Sequence, residues 1–307
     1  MKAIYQDEVT VGVEKRLDPT FSVGVKATYR RLGEAIEDRC DMDGSRAETG
    51  YNYCAIFNPG SSQPIASGAL PGCNGLNGDF YACSDTSPAM GPARRLYRGI
   101  EILARKSFSD KLWLQASYVF SSLRGNYDGE VNAHGQTDPG TNSDFDYPAL
   151  LHNDYGRLYL DRPHSLRLDG FYTFPFRLSV GLQAWARSGA PLNRLGYFNS
   201  DPSSSNYGIN LDPKGYAGRE PTNWDANLTV AYPFPIGPVT VTLQAFLYNL
   251  FNNQIPTSQN VVWTSQPPPD YPASLYDPNQ PPNNPNYGKI QTRQDPRMFR
   301  AAVKISF

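Results

Sequence analysis

The chain closes on FRAAVKISF (Phe299–Phe307), in which every second residue is apolar and most of the others are polar. Successive side chains of a β-strand point to opposite faces, so this alternation predicts a strand with one apolar and one polar face. The same period recurs in eight earlier segments, such as FSVGVKATYR (Phe21–Arg30), and no comparably long stretch has helical spacing. The nine segments begin near residues 5, 21, 100, 112, 166, 178, 224, 239 and 299. The pattern predicts an all-β fold of nine antiparallel strands.

The connections between these segments alternate strictly between short and long. Turns of a few residues follow the odd-numbered strands, and long loops follow the even-numbered ones. Soluble β-sandwiches do not usually sort their loop lengths onto one end, whereas outer-membrane barrels carry short periplasmic turns and long extracellular loops. The alternation therefore predicts a transmembrane β-barrel with the C-terminus on the periplasmic, short-turn side. The expected extracellular loops cover about 33–95, 122–162, 188–222 and 253–294.

Aromatic residues on the apolar face collect at the two ends of the predicted strands. Between these ends, the outward positions are almost all Val, Ile, Leu or Ala. Aromatic rings favour the membrane–water interface, whereas a soluble core would bury them in mid-strand. The two belts therefore favour a lipid-facing surface over a soluble core. The short-turn belt comprises Phe21, Phe108, Tyr172, Phe174, Tyr232 and Phe307, and the long-loop belt comprises Tyr5, Tyr29, Tyr118, Phe120, Trp224 and Phe299.

The composition argues against several other classes of protein. A formal net charge of −1 provides no general attraction to nucleic acid, so none is expected as a partner. No stretch approaches the roughly 18 consecutive apolar residues of a transmembrane helix. The segment Met1–Tyr5 lacks the apolar core of a signal peptide and runs directly into a strand pattern. We therefore expect residues 1–307 to be one part of a longer exported barrel protein.

The first long loop contains all four cysteines and a group of acidic residues. None of the cysteines has CxxC spacing, which argues against a zinc site. An even number in a polar loop predicts two disulfides formed in an oxidising compartment, with three pairings open. The acidic residues loosely resemble a calcium loop but lack EF-hand spacing, so a solvated acidic loop is favoured and a calcium-stiffened loop is the alternative. The cysteines are Cys40, Cys54, Cys73 and Cys83, and the acidic residues are Asp38, Asp41, Asp43 and Glu48.

No arrangement of residues predicts catalysis or a bound cofactor. His134, His152 and His164 are far apart, and neither an HExxH nor a GxSxG motif is present. His164 follows Asp161 and Arg162, and we expect these three residues to form a polar cluster at the top of the fifth strand. The sequence thus predicts no enzyme and no resident metal, and it identifies no substrate-binding residue.

Eight short motifs resemble those of TonB-dependent outer-membrane receptors of the Oar-like kind, in matching order along essentially the whole chain. The resemblance implies a barrel of 22 strands around an N-terminal plug, energised through TonB by the proton gradient of the inner membrane. This chain would supply the last nine strands, without the plug. The motifs are YQDE (Tyr5–Glu8), VGVE (Val11–Glu14), YRGIE (Tyr97–Glu101), GNYDG (Gly125–Gly129), DRPH (Asp161–His164), SGAP (Ser188–Pro191), YNLFN (Tyr248–Asn252) and the closing run to Phe307.

The resemblance also implies a set of partners. Phe307 and the alternating residues before it resemble the signal that the barrel-assembly machinery recognises. The wall would contact outer-membrane lipid, the missing plug would contact TonB, and the loops would meet an unidentified extracellular substrate. An odd number of strands leaves two open edges, whose unpaired backbone groups cost several kcal/mol each in lipid. We therefore expect a C-terminal fragment that transports nothing by itself.

Charged residues on the polar strand faces would line the lumen of such a barrel. We expect most of them to form cross-strand ion pairs or to contact the plug. The alternative is a mildly basic conduit that favours anionic or peptide-like cargo. The candidate lumen-facing residues are Lys26, Arg30, Glu101, Arg105, Arg167, Asp169, Arg187, Asp225 and Arg300.

Three functions are consistent with this sequence. The first is TonB-dependent import or export of a large, unidentified substrate. The second is passive diffusion through a porin-like channel, which an upstream plug and TonB box would exclude. The third is a secreted or adhesive β-sandwich, which would be recovered in soluble form rather than from outer-membrane fractions. The paired aromatic belts favour the first two.

Overall fold

The computed structural model describes residues 2–39, 55–60, 90–107, 111–129, 144–145, 148–198, 207–264 and 284–307. Within these ranges the regular structure is β, apart from a single 3₁₀ turn at Pro148–Leu151. No helix in these ranges is long and apolar enough to cross a membrane. The strands are β1 (Tyr5–Asp18), β2 (Phe21–Glu34), β3 (Glu37–Arg39), β4 (Ala55–Phe57), β5 (Arg95–Ser107), β6 (Leu112–Gly125), β7 (Gly156–Arg157), β8 (His164–Thr173), β9 (Ser179–Arg187), β10 (Leu195–Phe198), β11 (Tyr207–Asn210), β12 (Asn223–Ile236), β13 (Val239–Tyr248), β14 (Pro256–Gln259), β15 (Val262–Thr264), β16 (Ile290–Arg293) and β17 (Met298–Ser306).

The nine long strands form one antiparallel sheet in the order β1-β2-β5-β6-β8-β9-β12-β13-β17. These are the nine strands predicted from the alternating pattern, so the prediction of an antiparallel all-β fold is confirmed. The short strand β7 extends the sheet beside β6. Among the described residues, β1 pairs only with β2 and β17 only with β13, so the sheet has two free edges and is not closed.

The strand registers bring the predicted apolar positions onto one face of the sheet. Val25 lies opposite Ile102, Ile102 opposite Tyr118, and Tyr118 opposite Leu166. No second layer formed by the described residues covers this face, and Ile102 and Leu166 keep 46% and 48% of their surface exposed. A soluble sandwich would bury such a face, whereas a sheet in a bilayer turns it to lipid. Of the predicted belt residues, Phe108 lies outside the described part of the chain.

The short turns at one end of the sheet have conventional turn chemistry. Between β1 and β2, the backbone N–H and the hydroxyl of Thr20 both donate to Oδ1 of Asp18 at 2.7 Å. This Asx-type arrangement reverses the chain within two residues. Between β12 and β13, Gly237 has a φ of +58°, which glycine adopts without strain.

The opposite end of the sheet, called here the long-loop end, holds most of the packed interior. The short strands pair there as β3 with β4, as β11-β10-β15 and as β14 with β16, all within segments that were predicted only as loops. A hydrophobic cluster lies at the same end, between the chain beyond β2 and the chain beyond β6. Its buried members are Leu32, Ala35, Met90, Ala93, Tyr127 and Phe145.

Candidate functional site at the long-loop end

All nine predicted lumen-facing residues lie on the sheet face opposite the aliphatic band. Seven of them contact polar or aromatic neighbours on that face, mostly across strands. Asp225 and Arg300 share the same face; one carboxylate oxygen of Asp225 is buried without a hydrogen-bond partner in the described residues. The contacts are Lys26–Glu101 at 2.6 Å, Arg30–Glu8 at 2.6 Å, Arg167–Asp169 at 2.8 Å, Arg105 donating to Gln115 at 3.0 Å, and Arg187 over the Trp185 ring at 5.0 Å.

A shallow pocket of about 320 Å³ lies on this polar face near β1, β2 and β5. Glu8, Lys26, Arg30 and Glu101 line it together with the ring of Tyr97. Its two acidic and two basic side chains are the members of the Lys26–Glu101 and Arg30–Glu8 pairs. The pocket is therefore polar and electrically balanced rather than basic.

A buried ion cluster, formed by Lys214, Asp128, Asp144 and Asp154, lies at the long-loop end. Lys214 follows β11, Asp128 follows β6, and the other two aspartates flank the 3₁₀ turn. Nζ of Lys214 donates to Oδ1 of Asp154 at 2.8 Å and to Oδ1 of Asp144 at 3.2 Å, and it lies 2.9 Å from Oδ2 of Asp128. All four side chains are nearly excluded from solvent. The cluster therefore joins the β6–β8 connection to the β9–β12 connection.

Backbone hydrogen bonds reinforce this junction. The N–H of Lys214 donates to the carbonyl of Asn153 at 2.8 Å, and its own carbonyl accepts from the N–H of Arg157 at 2.8 Å. The N–H of Tyr159 donates to Oδ1 of Asp128 at 2.9 Å. The two connections are thus held together by main-chain contacts as well as by charge.

The protonation of the cluster follows from its burial. Burial raises the pKa of Asp154 to about 8, although the charge of Lys214 opposes this shift. Burial also raises the pKa of Asp144. Burial lowers the pKa of Lys214, but the three surrounding carboxylates raise it more, and the result is well above the ordinary value. The raised pKa of Lys214 keeps this amine charged at neutral pH, and burial favours the protonated form of Asp154.

A second junction ties the same two connections together. Oδ1 of Asp161 accepts from the N–H of Leu123 at 2.7 Å, and the carboxylate of Asp161 pairs with Arg219. Arg219 also donates to the carbonyl of Gly189 at 3.2 Å. Gly189 packs against the backbone carbonyl of Glu220 so closely that a Cβ would clash. A glycine is required here because its backbone lies against that of Glu220 in the same β9–β12 connection.

Several of the short motifs in the sequence lie at these junctions. GNYDG contains Asp128, DRPH begins with Asp161, and SGAP contains Gly189. In YNLFN, the side-chain amide of Asn249 donates to the carbonyls of Asn253 and Asp295 at 2.7 and 2.8 Å. These contacts were not predicted from the motifs, and Lys214, Asp144 and Asp154 were not among the candidate site residues.

The prediction that His164 joins Asp161 and Arg162 in a polar cluster is wrong. Asp161 precedes β8 and points to Arg219, whereas His164 begins β8 on its outward face. There Nδ1 of His164 lies 2.7 Å from the hydroxyl of Tyr118, and the ring stacks on Tyr118 at 6.1 Å. His164 therefore belongs to the aromatic belt.

The predicted disulfides and calcium loop lie outside the described residues. This applies to Cys40, Cys54, Cys73 and Cys83 and to Asp41, Asp43 and Glu48, while the backbone of Asp38 lies in β3. Within the described ranges, no group of three or more His, Cys, Asp or Glu side chains is arranged to hold a metal ion.

Comparison with known proteins relates this geometry to a family. The chain is 30% identical over 261 residues to the TonB-dependent transporter Oar of Myxococcus xanthus, covering 83% of this chain and 21% of Oar. No family model matches the chain. The outer membrane transporter YddB from Escherichia coli superimposes with a TM-score of 0.52 at 10% identity, covering 98% of this chain and 32% of YddB. The ferric preacinetobactin receptor BauA of Acinetobacter baumannii gives 0.47 at 11% identity, covering 98% and 29%.

The chain thus spans about a fifth of the length of its curated relative. The likeness to YddB concerns the fold alone. The similarity to Oar extends over most of the chain and agrees with that fold. The chain belongs to the family of TonB-dependent outer-membrane transporters, and its location is the outer membrane.

Proposed function

We propose that the chain forms part of the barrel wall of a transporter that moves a large substrate across the outer membrane with energy supplied through TonB. The observation that carries this proposal is the two-faced sheet of nine strands. One face is aliphatic with aromatic ends, and the other carries charges in cross-strand pairs. A wall between lipid and a wet lumen requires this division.

The free edges of the sheet imply that the wall continues. In a bilayer, the unpaired N–H and C=O groups along β1 and β17 would each cost several kcal/mol. Further strands of the same protein would satisfy them, and a total of 22 strands is the number that the family resemblance implies. The coverage of only 21% of Oar supports such a longer parent. The chain alone would then be inactive in transport.

The long-loop end is the proposed extracellular vestibule. The buried ion cluster and the Asp161–Arg219 pair hold the β6–β8 and β9–β12 connections as one unit. Loops fixed in this way keep a shape that a substrate can recognise. At the opposite end, Phe307 would present the assembly signal to the barrel-assembly machinery from the periplasm, and TonB would act through the plug.

Cysteine labelling of intact cells tests the orientation. Tyr155 is exposed at the long-loop end, and Phe176 is exposed in the turn between β8 and β9. With a membrane-impermeant maleimide, Y155C is expected to react in intact cells and F176C only after the outer membrane is opened. The unsubstituted protein gives the background from the native cysteines. The reverse pattern would overturn the orientation.

Transport energetics separate this proposal from a porin. The full-length protein should show heat-modifiable migration in outer-membrane fractions, and its transport should stop when TonB is deleted. Uptake that persists without TonB would favour a passive channel. Recovery of the protein in soluble form would favour a secreted β-sandwich instead.

A further inference from the structure

Four arginines form a patch on the outward, aliphatic face at the long-loop end. Strand register fixes their positions: Arg31 and Arg124 both flank Leu96, and Arg157 of β7 lies opposite Arg124. Arg98 lies one row nearer the middle of the sheet. Together, Arg31, Arg98, Arg124 and Arg157 are called the arginine patch.

The arginine patch begins at the level of the aromatic belt. Arg98 lies directly opposite the belt residue Tyr29, and Arg31 lies two residues beyond Tyr29 on the same strand. Arg124 lies four residues beyond Phe120, which is about 13 Å along a strand. Since belt aromatics occupy the membrane interface, these arginines face the lipid headgroups rather than the acyl chains.

None of the four arginines has a carboxylate within salt-bridge distance in the described part of the chain. Asp7, which lies opposite Arg31, forms no ion pair with it. On the polar face of the same strands, by contrast, Lys26 and Arg30 are each paired at 2.6 Å. Within the described residues, the four guanidinium groups are therefore not paired with a carboxylate.

The strand register also brings two cations of the patch together, unlike the paired cations of the polar face. Arg124 and Arg157 are directly opposed across two strands, an arrangement of like charges that destabilises a sheet. Aromatic rings hold two of the guanidinium groups, with Arg157 4.4 Å above Tyr216 and Arg98 5.9 Å above Tyr29. Stacking occupies the planar faces of these groups and leaves their N–H edges free. A bound multivalent anion would accept hydrogen bonds from the N–H edges and would neutralise the repulsion between the opposed cations.

We infer that the arginine patch binds the phosphate groups of anionic lipid headgroups in the outer leaflet. This inference depends on the proposed orientation, in which the long-loop end is extracellular. Guanidinium groups match phosphate oxygens in a bidentate geometry, and the patch lies at headgroup depth on the lipid side. The binding fixes the depth of this part of the wall and neutralises the Arg124–Arg157 contact.

The test measures lipid binding by the full-length protein that contains this chain, purified from outer membranes in a neutral detergent. Bisphosphorylated lipid A and the same lipid with its phosphates removed are titrated separately, and bound lipid is counted by native mass spectrometry. The wild-type protein is expected to retain the phosphorylated lipid preferentially. The R31Q/R124Q variant should bind it about 25-fold more weakly, since each basic side chain at an anionic surface is worth about five-fold.

K15Q is the matched control. Lys15 also points outward from the sheet without a salt-bridge partner in the described residues, but it lies at the short-turn end. K15Q is expected to bind phosphorylated lipid A as the wild type does. Equal retention of the two lipids by the wild type, or equal weakening by K15Q and R31Q/R124Q, would overturn the inference.

Two further measurements distinguish a failure of the proposed lipid site from a failure of the proposed function. Inorganic phosphate is expected to compete poorly, and binding of free phosphate as tight as that of the lipid would exclude a headgroup site. Heat-modifiable migration reports the folded barrel in every sample. A folded barrel that ignores the phosphates contradicts the lipid site alone, whereas a protein that never shows this migration contradicts the proposed function as well.

Discussion

Replacing Lys214 by Met tests whether the buried ion cluster holds the long-loop end together. Met keeps the length of the side chain and removes its charge. The Lys214 side chain is 4% exposed, and those of Asp128, Asp144 and Asp154 are 1%, 10% and 4% exposed. Removal of one partner from a buried ion pair costs about 3–5 kcal/mol. Because Asp154 can remain protonated, we expect K214M to cost about 3 kcal/mol of local stability.

Hydrogen exchange followed by mass spectrometry measures this loss where it occurs. The amides of Tyr159 and Asp128 donate to Asp128 and Asp144 at 2.9 and 2.8 Å, so they report the opening of the cluster. A loss of about 3 kcal/mol corresponds to exchange that is about 150-fold faster. The amide of Ile102 in the middle of β5 should keep its protection, because it lies in the sheet away from the cluster.

A fully neutral variant distinguishes the loss of charge balance from the loss of packing. K214M combined with D128N, D144N and D154N has no buried charge left in the cluster, and neutral replacement of a buried ion network is often tolerated. We expect this variant to recover most of the protection lost in K214M. Unchanged exchange in K214M, or equal loss in the neutral variant, would refute the argument that charge pairing holds this junction.

Three further predictions follow from other parts of the structure. The folded-state pKa of Asp154, about 8, lies above its ordinary value, so its contribution to stability is complete at low pH and is lost as pH rises through 8. Amide protection at the long-loop end, corrected for intrinsic exchange rates, should therefore fall as pH rises through 8 in the wild type and not in D154N. L168R places a cation in the aliphatic band and should cost about 2–4 kcal/mol in denaturant unfolding in lipid vesicles, whereas Q183R on the polar face beside Asp169 should cost less than about 1 kcal/mol. G189A forces a Cβ against the carbonyl of Glu220 and should cost about 1–3 kcal/mol of stability. The loss is expected as faster cleavage of the β9–β12 connection in limited proteolysis. G91A is the control, because nothing lies within 4 Å of a Cβ at that position.

The sheet could be predicted from sequence because lipid restricts every second residue independently of its neighbours. Val25, Ile102, Tyr118 and Leu166 each satisfy this restriction on their own strand, and the pairing of Ile102 with Tyr118 then follows from the short turn between β5 and β6. The aromatic ends and the loop lengths are local signals of the same kind. None of these predictions required knowledge of which strand lies beside which.

The buried ion cluster could not be predicted in this way. Lys214 lies 60 and 70 residues from Asp154 and Asp144, in loops without any periodic pattern. Its position depends on how two connections pack against each other, which alternation does not encode. Part of the signal was present in GNYDG, since Gly129 has a φ of +77° directly after Asp128. Such a glycine marks a backbone that must turn at a fixed point, but it does not identify the lysine that meets the aspartate.

The charges of this wall differ according to what each surface faces. On the polar face, Lys26 and Glu101 form an exposed pair at 2.6 Å, an interaction that water and salt screen. At the long-loop end, Lys214 is almost fully excluded from solvent and is surrounded by carboxylates. On the outward face, Arg31 and Arg124 have no carboxylate partner in the described residues. Under the lipid site inferred above, headgroup phosphates would pair with these arginines at the level where the aromatic belts meet the membrane interface.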